Sequence, residues 1–150
     1  MDTASIGIRT FNDAHLLRIA RLFAGNHDLS SRVDMSATRR TRVELDTSAY
    51  LEVWLMAWPA GATSGWHDHG QSSGALHVVR GTLTQETWRD RQRVEIDLRE
   101  QEEFSFGPGL VHNMTNIGDD VALSVHAYSP GLTQMTPYEW RDGRPQPVVV

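Results

Sequence analysis

The chain contains no cysteine. Its 150 residues therefore form no disulfide, no thiolate zinc site, no iron–sulfur cluster and no cysteine nucleophile. Positive charge is short as well. Fourteen Lys and Arg stand against nineteen Asp and Glu, a net charge of −5 with no basic stripe, which argues against duplex nucleic acid and anionic membranes as partners. No apolar run approaches a membrane span, and the N-terminus lacks the basic-then-apolar pattern of a secretion signal. Internal repeats and low-complexity segments are missing too. With 39% hydrophobic and 22% charged residues the composition is that of a globular protein, not of a disordered or collagen-like one. The expectation is a single cytoplasmic domain, long enough to bury a core.

What is present falls into two textures. Residues 11–25 read as a short amphipathic helix: Asn12 or Asp13 caps its start, Leu16, Ile19, Ala20 and Phe23 share one face, and Gly25 ends it. Residues 28–42 are polar and basic, ending in Arg39, Arg40 and Arg42, with at most a second short helix. From about residue 43 short strand-like runs take over, at Leu51–Trp58, Leu76–Arg80, Thr82–Arg89, Arg93–Leu98, Glu103–Phe106, His112–Asn116 and Val121–Tyr128. Gly, Pro, Asn and Asp separate them, as in a β-sandwich or barrel. The tail, rich in Pro and Gly around Gly143–Pro147, is expected to run along the surface.

The densest chemical signal is Gly61-Ala62-Thr63-Ser64-Gly65-Trp66-His67-Asp68-His69-Gly70. Histidines at i and i+2 point the same way on an extended chain, and two imidazoles on one face chelate a divalent metal. Further on comes Pro108-Gly109-Leu110-Val111-His112-Asn113-Met114-Thr115-Asn116, where a third histidine follows a turn and precedes an asparagine. Together these segments resemble the two signature motifs of the cupin superfamily, with two departures. The Pro–Gly spacing of the second motif is one residue short, and the glutamate of the first is replaced by Ser73 or Gly74. What remains is His67, His69 and His112 with no carboxylate. Three neutral imidazoles leave a divalent ion its full charge and several open positions. Ligand identity alone does not separate iron, nickel, copper and zinc; Fe(2+) is favoured on functional grounds, because zinc held by three histidines makes a hydrolytic site.

A second cluster lies in the strand Val121–Tyr128. Val121, Leu123, Val125 and Ala127 alternate with Ser124, His126 and Tyr128, so the polar three share a face. They offer a relay in which Ser124 orients His126, and His126 orients or deprotonates the phenol. His67-Asp68-His69, the stretch to Gly74, His112, and Ser124-x-His126-x-Tyr128-Ser129-Pro130 together resemble the thiol dioxygenases of the cysteine dioxygenase type, over roughly Thr38 to Gly131.

The resemblance implies a cupin-type antiparallel β-barrel, jelly-roll-like and dominated by β structure, with one or two N-terminal helices. Residues 1–42 would be the helical segment, 43–131 the barrel and 132–150 the C-terminal tail of one domain. It implies a mononuclear iron enzyme that adds both atoms of O₂ to the sulfur of L-cysteine, giving a sulfinic acid. His67, His69 and His112 match the iron ligands, and Ser124, His126 and Tyr128 match the outer triad. Ser129–Pro130 matches a position where some members carry a cis peptide. The substrate carboxylate is assigned to Arg42, with Arg40 as runner-up, since a forked guanidinium pairs with a carboxylate through two charge-assisted bonds. The partners are then a small thiol and O₂, and a monomer is compatible with the sequence. The same chemistry on 3-mercaptopropionate or another small thiol, or a cupin of another metal-dependent class, are the alternatives. In animal members a cysteine crosslinks to the active-site tyrosine; its position here is Gly74, so Tyr128 is expected as a free phenol. His15, His27 and His77 are expected to play no ligand role. Trp54, Trp58, Trp66 and Trp88 are expected in core or mouth packing, and Met56, Met114 and Met135 as fillers.

Overall fold

The structure is a computed structural model that describes residues 10–149. Residues 1–9, where the secretion-signal reading falls and where the expected helical segment begins, lie outside the described residues, as does Val150. Among the described residues no helix is long and apolar enough to cross a membrane.

Helix α1 spans Asp13–Ala24. The Asn12 side chain accepts from the His15 backbone N–H at 2.9 Å, and Gly25 closes the last turn onto Arg21 and Leu22. The buried stripe is Leu16 and Ala20, with Ile19 and Phe23 packed beside them. A single 3₁₀ turn, Leu29–Arg32, follows. Eleven strands come next: β1 Thr41–Thr47, β2 Glu52–Trp58, β3 His67–Asp68, β4 Ser73–Arg80, β5 Leu83–Arg89, β6 Gln92–Leu98, β7 Glu103–Phe106, β8 Val111–Thr115, β9 Ala122–Ser129, β10 Thr136–Arg141 and β11 Arg144–Pro147.

All pairings are antiparallel and build two sheets, ordered β1-β2-β9-β4-β7 and β11-β10-β3-β8-β5-β6. This is the two-sheet, jelly-roll form of an antiparallel fold. The expected barrel is therefore open: no ladder among the described residues joins one sheet to the other.

The first sheet lies between α1 and the second sheet, so both its faces are apolar. Val53, Leu55 and Ala57 of β2, with Leu123, Val125 and Ala127 of β9, pack outward on Leu16 and Ala20. Met56, Trp58, Leu76 and Val78 point inward and meet Leu83, Leu98 and Met114. All eight residues of β9 are buried in consequence. The polar triad of that strand thus faces the interior between the sheets, where an ordinary half-buried strand gives its polar face to water.

Two segments differ from the sequence expectation. Thr41 and Arg42 do not belong to a helical segment; they open β1, which pairs with β2 through Thr41↔Ala57 and Arg42↔Met56. The tail is mostly exposed, as expected, but it is regular structure. It forms the β10–β11 hairpin, and β10 docks on β3 through Thr136↔Asp68 and Pro137↔His67.

Candidate metal centre and its cavity

His67 lies in β3 and faces His112 of β8 directly across the ladder, and His69 follows just after β3. One ring nitrogen from each of the three lies within 4.8 Å of the others. His69 and His112 are each 2% exposed, and His67 stands partly open.

Hydrogen bonds fix which nitrogen each ring presents. His67 Nδ1 donates to the Gly65 carbonyl at 2.8 Å, and His112 Nδ1 donates to Gln85 Oε1 at 2.9 Å. A proton on Nδ1 leaves Nε2 as a bare lone pair. His112 Nε2 and both nitrogens of His69 are buried without a protein partner. Leaving buried imidazole nitrogens unsatisfied is costly unless something else takes them. Burial pushes the His69 pKa down to about 3, pushes His112 well below its ordinary value, and lowers His67 as well; repulsion between the rings adds to the effect on His69 and His112. All three are neutral at pH 7, the protonation state a metal needs. The donor set fits a divalent transition-metal ion held by three nitrogens.

The triad assembles on the opposite wall. The Trp58 indole N–H donates to Ser124 Oγ at 2.9 Å, Ser124 Oγ lies 2.7 Å from His126 Nε2, and His126 Nδ1 lies 3.2 Å from the Tyr128 hydroxyl. Direction follows from the first bond. An indole only donates, so Ser124 accepts from Trp58. Among the described residues His126 Nε2 is the acceptor within reach of the buried Ser124 hydroxyl, which gives the proton to that bond. His126 then carries its proton on Nδ1 and donates it to the phenol oxygen. The phenol proton is left to point into the cavity. Burial brings the His126 pKa down to about 3 and raises that of Tyr128, so both stay neutral. Tyr128 stacks obliquely on His69, with ring centroids 4.8 Å apart.

Both groups face one cavity of about 330 Å³. Arg40 and Arg42 line it together. Arg40 lies over the Trp58 ring at 5.0 Å and Arg42 over the Trp54 ring at 4.4 Å. The Arg40 charge acts on His67, His126 and Tyr128, that of Arg42 on Tyr128 among the site groups. Gly74 lies in register with Tyr128 on one side and Phe106 on the other; a Cβ there would stand 2.3 Å from Phe106 Cζ, so the ring fills the place a side chain would take. Ser129–Pro130 is cis.

Asn116 is placed away from the three histidines: its amide donates to the carbonyls of Trp58 and Asp120, both at 2.8 Å, and its Oδ1 accepts from Gly118 N, holding the β8–β9 turn. His77 bonds to Glu103 and Gln101, outside the cavity. Met56, Met114 and Met135 line the cavity wall, and Trp66 and Trp88 both pack on Trp140. Sequence reasoning missed Gln85, which fixes the His112 tautomer, and the anchoring role of Trp58. No local pattern marks either; only their register opposite the site residues does.

The family model for cysteine dioxygenase type I matches residues 24–141. Among solved structures, an uncharacterised conserved protein with a double-stranded beta-helix domain from Klebsiella pneumoniae is 17% identical, with a TM-score of 0.65, covering 77% of this chain and 98% of that one. A recombinant oxalate oxidase in complex with glycolate is 18% identical, with a TM-score of 0.62, covering 77% of this chain and 63% of that one. The Cnp3 cupin domain of Schizosaccharomyces pombe is 13% identical, with a TM-score of 0.60, covering 71% and 69%. At these identities the likeness to solved structures is one of fold.

Proposed function

The chain belongs to the cysteine dioxygenase type I family, and from that membership we propose that it is an iron(II)-dependent dioxygenase. It converts the thiol of a small mercapto acid, L-cysteine being the first to test, into the sulfinic acid. One observation carries this reading. Three neutral imidazoles with free nitrogens, a phenol whose proton faces inward and two guanidiniums all meet on one cavity.

His67, His69 and His112 would hold the metal. Fe(2+), when bound, supplies the one-electron chemistry and open coordination that let O₂ react with sulfur, which zinc does not offer. The reaction balances without a further reductant: two S–O bonds form, the O–O bond breaks, and sulfur gives up four electrons.

The protein's share is geometry and charge. A guanidinium of the Arg40–Arg42 wall grips the carboxylate and sets the sulfur at a fixed depth. Tyr128 stays protonated because burial raises its pKa, and so donates into the space where sulfur and oxygen meet. His126, held by Ser124 and through it by Trp58, keeps the phenol from turning away. Met56 and Met114 present apolar walls that keep water sparse around the reacting atoms.

The test is aerobic incubation of iron-loaded protein with L-cysteine, with 3-mercaptopropionate and cysteamine in parallel. The expected result is one O₂ consumed per thiol and a product heavier by two oxygen atoms. If no thiol drives oxygen uptake, a cupin of another metal-dependent class takes the place of this reading.

A further inference from the structure

Gln85 is 0% exposed, yet only half of its amide is bonded. Its Oε1 accepts from His112 Nδ1 at 2.9 Å, while its Nε2 is buried with no hydrogen-bond partner among the described residues. Register explains the confinement. β5 sets Gln85 opposite Met114 of β8 on one side and Ile96 of β6 on the other, so apolar side chains flank the amide. A buried donor left unbonded costs about 1–3 kcal/mol, and a leucine of similar size would escape that cost. The amide therefore stands or falls by what its oxygen does.

An amide can meet an imidazole in either sense, as acceptor or as donor. Only with Oε1 toward His112 Nδ1 does the ring keep Nε2 as a bare lone pair for a metal. A carboxylate would impose the same tautomer, because it only accepts. It would also draw the Nδ1 proton toward itself and make the ring a stronger electron donor. No carboxylate takes that place here. Glu86, the next residue along β5, turns to the opposite face and accepts from Arg93 and Asn113. Asp68 accepts from Tyr138 and Gly70 N. His67 donates to the Gly65 carbonyl, and neither nitrogen of His69 has a protein partner. The acceptors behind the three imidazoles are thus an amide and a carbonyl, both uncharged.

We propose that Gln85 is a positioning residue that holds His112 in its metal-binding tautomer without lending it negative charge, and so keeps the reduction potential of the centre high. A trivalent ion gains more from an electron-rich ring than a divalent one does, so withholding that charge favours the reduced ion. The inference rests on the reading of His67, His69 and His112 as the seat of a redox-active metal. It does not depend on which thiol, if any, the protein oxidises.

The experiment compares the iron-loaded protein with Gln85→Glu, which keeps the acceptor and adds charge, and with Gln85→Leu, which removes the acceptor at similar volume. Spectroelectrochemical titration reads the reduction potential, and competition with a chelator reads Fe(2+) affinity. Gln85→Glu is expected to favour the trivalent ion by about tenfold, a potential lower by about 59 mV. Gln85→Leu is expected to weaken Fe(2+) binding by about tenfold or more. Its denaturant midpoint should be no lower than that of the wild type, since the unbonded amide is gone. A role in packing alone would leave the potential of Gln85→Glu and the affinity of Gln85→Leu unmoved, and either result overturns the proposal. Should Gln85→Glu not fold, the affinity of Gln85→Leu decides alone. Oxygen uptake with small thiols keeps the two readings apart. Shifts as expected without any thiol-driven uptake leave Gln85 its role and count against the dioxygenase. Uptake with potential and affinity unmoved leaves the dioxygenase standing and Gln85 a packing residue. If the wild type takes up no iron, both fall.

Discussion

Gly74 and Phe106 show how a single missing side chain shapes the surroundings of the three histidines. Phe106 stacks on His69 with ring centroids 5.2 Å apart and lies as close to His112, and it reaches that place only because Gly74 has no Cβ in its way. Replacing Gly74 with Ala forces the ring off its seat and is expected to destabilise the fold by about 1–3 kcal/mol, the usual cost of overpacking. Denaturant midpoints measure it, and in a Phe106→Leu background the same substitution should cost clearly less. An equal cost in both backgrounds would show that the contact is not its source. At this scale the sequence was readable where chemistry is written into spacing: His67 and His69 at i, i+2, and Ser124, His126 and Tyr128 on alternating positions. Gln85 and Trp58 escaped because their roles come from register. Gln85 faces the His112 strand and Trp58 faces the β9 strand only once β5 pairs with β8 and β2 with β9. The choice between Arg40 and Arg42 escaped too, since the strand turns both toward the cavity.

Among the elements, β3 is the weakest taken alone and the one on which the site depends most. Two residues long, it is held by β8 on one side and by the C-terminal hairpin on the other. The hairpin grips it three times: through the β10 ladder, through Tyr138 N donating to the Trp66 carbonyl at 2.8 Å, and through the Tyr138 hydroxyl donating to Asp68 Oδ2 at 2.6 Å. Burial and that bond push the Tyr138 pKa up to about 12, so it remains a donor. Asp68 sits between two of the three histidines, and its other oxygen accepts from Gly70 N. Tyr138→Phe leaves a buried carboxylate oxygen without its partner and is expected to lower metal affinity about tenfold or more, as the loss of groups that orient ligands commonly does. A competition titration with Fe(2+) against a chelator reads this; unchanged affinity would reduce the hairpin to packing. The hairpin was hidden in the sequence for a physical reason. Pro137 lies inside β10, and Pro145 and Pro147 lie inside β11, and proline ordinarily speaks against a strand because it has no N–H for a ladder. β11 tolerates its prolines as the edge of the sheet. β1 was hidden by its charges: Arg42, Glu44 and Asp46 make it look like a solvated segment, although it covers the edge of β2.

Across the whole molecule, enclosing the first sheet between α1 and the second sheet buries His126 almost completely, and this makes the protein's stability depend on pH. His126 is 4% exposed, and burial lowers its pKa from 6.5 to about 3. In the unfolded chain it titrates near the ordinary value. Between these two values the unfolded state binds a proton that the native state refuses, so stability rises with pH there. The contribution is fully present above pH 6.5 and is lost progressively as pH falls toward 3. One such group gives a slope of about 1.4 kcal/mol per pH unit. Metal-free protein is therefore expected to weaken steadily below pH 6.5, with His69 and His112 adding slopes of the same sign. His126→Gln retains a side chain able to bond Ser124 but does not titrate, so it should remove about one proton's worth of that slope while leaving the other two. Unfolding free energies from denaturant titrations at pH 7.5, 6 and 5 test it directly. Identical slopes in the wild type and the variant would mean that His126 takes up its proton in the folded state. Both imidazole nitrogens would then donate, so Nδ1 would still hold the Tyr128 oxygen while the Ser124–His126 bond would run the other way, from Nε2 to the hydroxyl.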